Sequence, residues 1–518
     1  MKDRPCTITI RPDGRELTAT AGDSLYTLLL VAGVISQDDP ASNRLRLERG
    51  SVSPSLDPQA EARAFTLSER TEGWILASCR RIEGDAELTL GSSVDASSLQ
   101  RPLGHGFGLI AAVGTATIGC GLLSLGGMEI PMLSACPNSQ IHLAPDMADR
   151  IAFYRSDPDN ARKITAFLRN DISRMTERLL SHTGIEPEQI TTVTMVGRPP
   201  LLRMLLGRSP EEKEEQGRIR HLHAGDMQLA YLDGDTDLFL LPSSCDEIGS
   251  DTVASLLAGG VPDKIDGEGV TILVDMGISC EVVAAGRGRI VACSVDTAPF
   301  EGEGISCGMQ AMSGAVFGVE IDEDSVAVQT IHDEPPKGLC GAGLISAVHQ
   351  LVRQDLISED GRLQQPEDLP EALASRFRAT ASGREFILVR AGQGVPRDVC
   401  VNQEDVRKLQ LAKGAIRGAC QALLAELDAP ASAIEAILIA EAYRSNINTE
   451  AALELGLLPP VPEHAVRSIG NADWQGAYLA MTDWDNAVGA VEIARRITRL
   501  DLSANHVYAA EFIKAMNF

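Results

Sequence analysis

Residues 109–123, LIAAVGTATIGCGLL, and residues 273–283, LVDMGISCEVV, are two versions of one pattern: an apolar strand, a glycine turn with a small hydroxyl residue, and a second strand. A glycine turn between strands presents backbone N–H groups to a phosphate, and a carboxylate beside it holds Mg²⁺ or orients a water. The second copy carries Asp275 ahead of Met276-Gly277, whereas the first carries Ala112 ahead of Val113-Gly114. One arm of the clamp keeps its acid and the other does not.

Working outward, each hairpin opens the same series of elements. After the first comes an amphipathic helix over Asn160–His182, with Ile164, Phe167, Leu168, Ile172, Met175 and Leu179 on one face, a stop at Gly184, and a strand Ile190–Val196 closing at Gly197. After the second hairpin, 270–283, come a helix near Glu404–Leu427 and a strand Ile434–Ala440. Two rounds of one order predict two related α/β halves with a cleft between them. The first hundred residues read separately. Strand 7–10, a turn at Pro12-Asp13-Gly14-Arg15, strand 16–20 and a helix on Leu25, Leu28, Leu29 and Ala32 that stops at Gly33 predict a β-grasp module. A long polar stretch, Ser36–Ser55, follows it. The expected domains are 1–95, 96–265 and 266–518. Residues 207–218 read as a charged loop and Pro366–Arg384 as a linker-like insertion.

Composition narrows the function classes. At 518 residues the chain is too long for a single core. Its 44 % hydrophobic and 23 % charged residues are those of a folded α/β protein. A formal charge of −26 argues against a nucleic-acid partner. Eleven cysteines without a CxxC pair, behind a start with no secretory leader, predict reduced thiols and a cytoplasmic protein. The uncharged run Phe107–Leu125 is broken by turn residues and is expected to form buried strands rather than a membrane span.

Further strings carry a family resemblance: Ala298-Pro299-Phe300-Glu301-Gly302, Ile305-Ser306-Cys307-Gly308-Met309, Gly341-Ala342-Gly343-Leu344-Ile345, LQLAKGAIRGA (409–419) and Gly470-Asn471-Ala472. In this order they resemble the reductive activators of corrinoid proteins, over nearly the whole chain. The resemblance implies a ferredoxin-like β-grasp domain followed by a two-lobed fold of the acetate kinase, sugar kinase, heat-shock chaperone and actin (ASKHA) type. It also implies ATP with Mg²⁺ as cofactors and a corrinoid protein or corrinoid methyltransferase as partner, with a homodimer expected.

The chain departs from the family at four places. Ile35–Leu47, which aligns with the loop that supplies clustered cysteines for a 2Fe-2S cluster, has none, leaving Cys79 alone, so no such cluster is expected. The first phosphate loop, resembling DIGTTT in the family, keeps Gly114, Thr115 and Thr117 but lacks the acid. The second, resembling DIGTNGE, keeps Asp275, Gly277 and Glu281, with Ser279 between. Glu441 and Arg444 stand where the family resembles IAGAFG, and Arg198 follows Gly197 where it resembles GNTTMHH. The expected site is therefore a residual nucleotide site of Gly114, Thr115, Thr117, Asp275, Gly277, Ser279 and Glu281.

Each candidate has a plainer alternative: a strand turn kept for folding, or threonines at home in a buried strand. Cys280, Cys293, Cys307 and Cys340 are expected near the cleft as packing thiols. His221 and His223 have no third ligand in the sequence and read as a solvated loop. Glu301 and Glu303 mark a turn, and Trp474 and Trp484 read as core or interface anchors. The functional expectation is a corrinoid-protein activation or assembly factor with impaired ATP turnover. The alternatives are a non-enzymatic scaffold or regulatory pseudoenzyme and, less favoured because Ala112 removes an acid, a small-molecule phosphotransferase.

Overall fold

The computed structural model describes residues 5–11, 15–32, 44–54, 74–90, 106–125, 132–212, 216–364, 369–380, 383–392, 394–441 and 447–518. Two units separate, Met1–Gln100 and Arg101–Phe518. In the first, β1 (Pro5–Arg11) pairs antiparallel with β2 (Arg15–Thr20). The rest of its sheet is β3 (Arg44–Val52), β4 (Trp74–Leu76) and β5 (Ile82–Leu90), in the order β2-β1-β5-β3-β4. Period-two alternation turns Cys6, Ile8 and Ile10 inward, where α1 (Leu25–Val31) buries Leu25 and Leu29 against them. This is the expected β-grasp layout. Two sequence readings change, however: the polar stretch contains strand β3, and Arg44–Leu47 of the cysteine-free segment belong to that strand. The turn at 12–14, the stop at Gly33 and residues 35–43 lie outside the described residues.

The second unit holds two six-stranded sheets. The strands of the first are β6 (Phe107–Val113), β7 (Thr117–Ser124), β8 (Met132–Pro137), β9 (Ile190–Gly197), β10 (Arg220–His223) and β11 (Asp237–Leu240). The second comprises β12 (Val270–Met276), β13 (Ser279–Gly286), β14 (Arg289–Asp296), β21 (Ile434–Glu441), β22 (Val466–Gly470) and β23 (Ile497–Arg499). Their orders, β10-β11-β9-β6-β7-β8 and β22-β21-β12-β13-β14-β23, share a five-strand pattern once the edge strands β10 and β23 are set aside. In both lobes the first three strands are antiparallel and the next two join in parallel. Register makes the equivalence residue-specific: Ala112 pairs with Val196 as Asp275 pairs with Ala440, each one residue before its strand ends.

The helices follow the same duplication. After α2 (Met147–Ser156), α3 (Pro158–Thr183) is capped by the Asp157 carboxylate, starts on a proline and ends where Gly184 turns left-handed at φ 70°. It buries Ile164, Leu168, Ile172, Met175 and Leu179 on its sheet. Beyond β9 lies α4 (Pro199–Leu205), and after β11 comes α5 (Ser250–Ala258). In the second lobe α6 (Gly341–Arg353) precedes α7 (Gln403–Glu426), whose Asn402–Asp405 capping box fixes its start; α8 (Ala472–Thr482) follows β22 and α9 (Trp484–Arg496) follows α8.

Between β14 and α7, β15 (Ala315–Ile321), β16 (Val326–Thr330) and β17 (Gly338–Leu339) form one small sheet, and β18 (Phe377–Thr380), β19 (Gly383–Val389) and β20 (Val399–Asn402) another. The insertion read as a linker at 366–384 thus contributes a strand pair. Phe107–Leu125 is the buried β6–β7 hairpin, as expected, and no helix among the described residues is long and apolar enough to cross a membrane.

The helices after the fifth strands, α5 and α8, pack on each other. A Cβ at Gly476 would lie 1.9 Å from the Ala254 carbonyl oxygen, so only glycine permits this crossing. Gly476→Ala is expected to destabilise the chain by roughly 1–3 kcal/mol by overpacking a backbone contact, read as a lower denaturant midpoint at unchanged slope.

Candidate functional site

The first glycine turn is held by its own backbone and by one buried asparagine. Gly114 N–H donates to the Thr117 carbonyl at 2.9 Å, and a Cβ at Gly114 would meet that oxygen at 2.7 Å. Asn138, fully buried, donates its side-chain amide to the Gly114 carbonyl at 2.9 Å and its N–H to the Ala116 carbonyl at 2.8 Å. Thr115 and Thr117 remain half-buried, whereas Ala112 is buried inside β6. Gln310 reaches over from the second lobe, donating to the Ala116 carbonyl at 3.4 Å.

The second turn is a charged cluster. Asp275, at the end of β12, accepts a 3.4 Å bond from the Ser255 hydroxyl of α5. Glu281, its cross-strand neighbour, accepts from the Ser294 hydroxyl at 3.0 Å. The Gly277 carbonyl accepts from Thr297 at 2.8 Å. Into this cluster comes Arg198 from the first lobe: Nη1 donates to the Ser279 hydroxyl at 2.5 Å, and Nη2 lies 3.6 Å from Glu281 Oε1 and donates to the Glu247 carbonyl at 3.4 Å. Its Nε is buried with no hydrogen-bond partner among the described residues.

Two more acids, Asp251 in the first turn of α5 and Asp473 in the first turn of α8, act on the same group electrostatically. Burial, then Glu281, Asp251 and Asp473, hold the Asp275 carboxyl well above the usual carboxylate range. Burial likewise pushes Glu281 up to about 7, against the pull of Arg198, and Asp473 up to about 6. Asp251 is raised by burial and lowered by Arg198. Desolvated carboxylates that repel one another are hard oxygen donors of the kind Mg²⁺ prefers, although among the described residues no three of them bring ligand atoms within 4.8 Å of one another.

The structure therefore seats Arg198 on Ser279 and Glu281, with Asp275 beside Glu281 across the hairpin and Gly277 in the turn between them. Among the described residues no hydrogen bond joins Gly114, Thr115 or Thr117 to that group. Three site residues escaped the sequence reading. Arg198 was read as a loss, although its guanidinium bridges the lobes. Asp251 and Asp473 were passed over, although Gly249-Ser250-Asp251 and Gly470-Asn471-Ala472-Asp473 open equivalent helices in the two rounds, which is the signal that marks them. Glu441 ends β21; its side chain and residues 442–446, Arg444 included, lie outside the described residues.

The remaining candidates separate. Cys280, Cys293, Cys307 and Cys340 are buried core thiols. Burial raises Cys280, Cys293 and Cys340, which keeps them protonated. Cys307 sits 3.5 Å from Cys400, whose hydrogen bond lowers its pKa. Glu301 is pushed up to about 7 by burial and by Glu303. Trp474 is buried and stacks on Tyr478, with ring centroids 5.9 Å apart; the Trp484 side chain lies outside the described residues. His221 and His223 correct the loop reading: they lie in edge strand β10, and Asp237 of β11 supplies a third donor.

Two similar lobes enclosing glycine hairpins and an acidic cluster define a protein of the ASKHA class. A family model described as the C-terminal domain of RACo, the ASKHA domain, matches residues 269–518, and another, the RACo middle region, matches 107–264. The corrinoid activation enzyme RamQ of Eubacterium limosum is 26 % identical over 389 residues, covering 73 % of this chain and 64 % of the relative. A Co(II) methylated amine-specific corrinoid protein reductase of Methanosarcina barkeri is 23 % identical over 305 residues, 54 % of this chain and 50 % of the relative. The chain thus spans less than two thirds of the length of the curated relatives it matches. A solved reductive activator for a corrinoid, iron-sulfur protein superposes with a TM-score of 0.72 at 20 % identity, over 99 % of this chain and 98 % of that one. The chain belongs to the family of reductive activators of corrinoid proteins.

The raised carboxyls make a signed pH prediction. The folded chain keeps these protons up to pH about 6 to 7, whereas an unfolded chain releases them near pH about 4. Stability therefore falls as pH rises through that window, and the full penalty stands above it. Asp473→Asn, which removes one charge and keeps the acceptor for the Trp474 N–H, is expected to stabilise the chain by roughly 1–2 kcal/mol at pH 8 in EDTA and to change nothing at pH 4. Thermal unfolding across pH checks it.

Proposed function

We propose that this protein is a corrinoid-protein activation or assembly factor serving corrinoid-dependent methyl transfer, with an ATP site of impaired turnover and no iron-sulfur cluster of its own. Support for the partner comes from the relatives, whose names place them in corrinoid activation and corrinoid protein reduction. The protein acts in the cytoplasm on a corrinoid protein or corrinoid methyltransferase, as a homodimer, with lobes at 96–265 and 266–518.

The carrying observation is the Arg198 bridge. A guanidinium seated on Ser279 and Glu281 supplies, from within the chain, the positive charge that a nucleotide-bound metal brings to such a turn. Asp275, with Asp251 and Asp473 near it, would supply oxygen donors, directly or through bound water, to Mg²⁺, which when bound neutralises polyphosphate charge. Thr115, Thr117 and Gly277 would present amides and hydroxyls to the phosphates, and Gly114, whose own N–H is bonded to the Thr117 carbonyl, would let the backbone approach closely. Ala112 offers no acid from the first lobe, and Arg198 competes for Glu281, so the site retains binding groups while losing part of its means of turnover. The regulatory or scaffold alternative draws on the same bridge, because the link between the lobes is made by the chain's own side chains.

The first hundred residues hold only two cysteines, Cys6 and Cys79, both buried. A 2Fe-2S centre needs four ligands. Iron and sulfide assays on anaerobically purified protein are expected to find no stoichiometric cluster; a full complement would overturn that half of the proposal. Mg²⁺-ATP titration is expected to show binding, with hydrolysis that stays slow when a Co(II) corrinoid protein is added. Strong corrinoid-stimulated hydrolysis would reject impaired turnover and restore a full ATP-driven activator.

A further inference from the structure

We propose that the outer edge of the first lobe carries a second, separate metal site, formed by His221, His223 and Asp237, which takes a divalent first-row transition ion of the Zn²⁺ type. The placement follows from strand geometry. His221 and His223 are two residues apart on β10, so the pleat sends both side chains to one face. On the neighbouring β11, Asp237 is the register partner of His223, and Phe239 that of His221. Three donors thus converge from two antiparallel strands, with their ligand atoms all within 4.8 Å of one another.

The pairwise distances are already close to a ligated state. His221 Nε2 lies 2.7 Å from Asp237 Oδ1, and His223 Nδ1 lies 3.8 Å from the same oxygen. Donors bound to one ion at about 2.1 Å stand about 3–3.5 Å apart, so small side-chain rotations suffice. A neighbouring ring restrains one ligand: the His221 imidazole stacks on Phe239 at 4.8 Å and 16°, while the His223 backbone N–H donates to the Asp226 carboxylate at 3.0 Å and fixes the end of β10.

Two imidazoles and one carboxylate form a borderline donor set, which favours Zn²⁺, Co²⁺, Ni²⁺ or Cu²⁺ over the hard Mg²⁺ suited to the cleft. All three side chains are about half exposed. The ion would therefore keep open positions for water or for a donor from another molecule. None of these residues takes part in the cleft cluster, so the site stands or falls independently of the nucleotide reading.

Co²⁺ titrated into the metal-free full chain, followed by visible absorption and by competition with Zn²⁺, tests the proposal. The expected result is one equivalent bound with d–d bands and no intense thiolate charge-transfer band, because the ligands are nitrogen and oxygen. His221→Ala, His223→Ala and Asp237→Asn should each weaken binding at least about tenfold, as loss of a ligand predicts, whereas His182→Ala, at an exposed position in the last turn of α3, leaves it unchanged. Zn²⁺ should raise the melting temperature of the parent chain but not that of Asp237→Asn, provided the variant unfolds as cooperatively as the parent without metal. A thiolate band, binding unaltered by all three substitutions, or no binding at all would overturn the proposal.

Discussion

The crossing of α5 and α8 is the constraint on which the cleft depends. Each helix follows the fifth strand of its lobe, and the two approach so closely that the Ala254 carbonyl occupies the place of a side chain at position 476. That approach sets the first turns of both helices, with Asp251 and Asp473, around Asp275. Helix starts favour negative charge because their N–H groups carry uncompensated positive potential. Here that local preference, repeated by duplication, concentrates half-buried acids in one place. The raised pKa values of Asp275, Glu281 and Asp473 follow from the fold rather than from any one residue.

Arg198 is the counterweight. It lies one residue beyond β9, and its long side chain crosses to Ser279 and Glu281 from a segment 81 residues away in sequence. A buried ion pair recovers its desolvation cost only when neighbouring groups satisfy its remaining donors. Ser279 and the Glu247 carbonyl do so for two nitrogens, while Nε is left over.

Much of the architecture was legible because long periodic segments leave few choices. The apolar face of α3 and its glycine stop fixed that helix within two residues of the expected span, and the two hairpins announced the duplication. The site was legible only in part. Asp275 and Glu281 stand in a recognisable turn, but an aspartate in the first turn of a helix is so common that Asp251 and Asp473 carried no signal singly. Only their equivalence in two rounds gives them meaning. Strand β10 is four residues long, too short for alternation to show, and its third donor lies 14 residues past His223 across a separate turn. Where a side chain as long as arginine finds its partner is decided by tertiary packing, so Arg198 read as an absence of family residues until the second lobe was in place.

The duplication also explains why the two glycine turns differ in kind. Ala112 pairs across its hairpin with Gly119, and Asp275 across its own with Glu281. A neutral, small pair in one lobe faces a doubly acidic pair in the other. In a symmetric clamp both turns would contribute charge to a bound metal, and neither would need an internal cation. Here the first turn is fixed by Asn138 through backbone carbonyls and supplies shape without charge, while the second supplies charge that Arg198 already partly meets. The alanine at position 112 and the arginine at position 198 act in the same direction: the first leaves the cleft with no acid from its first turn, and the second meets part of the charge of Glu281 from within the chain.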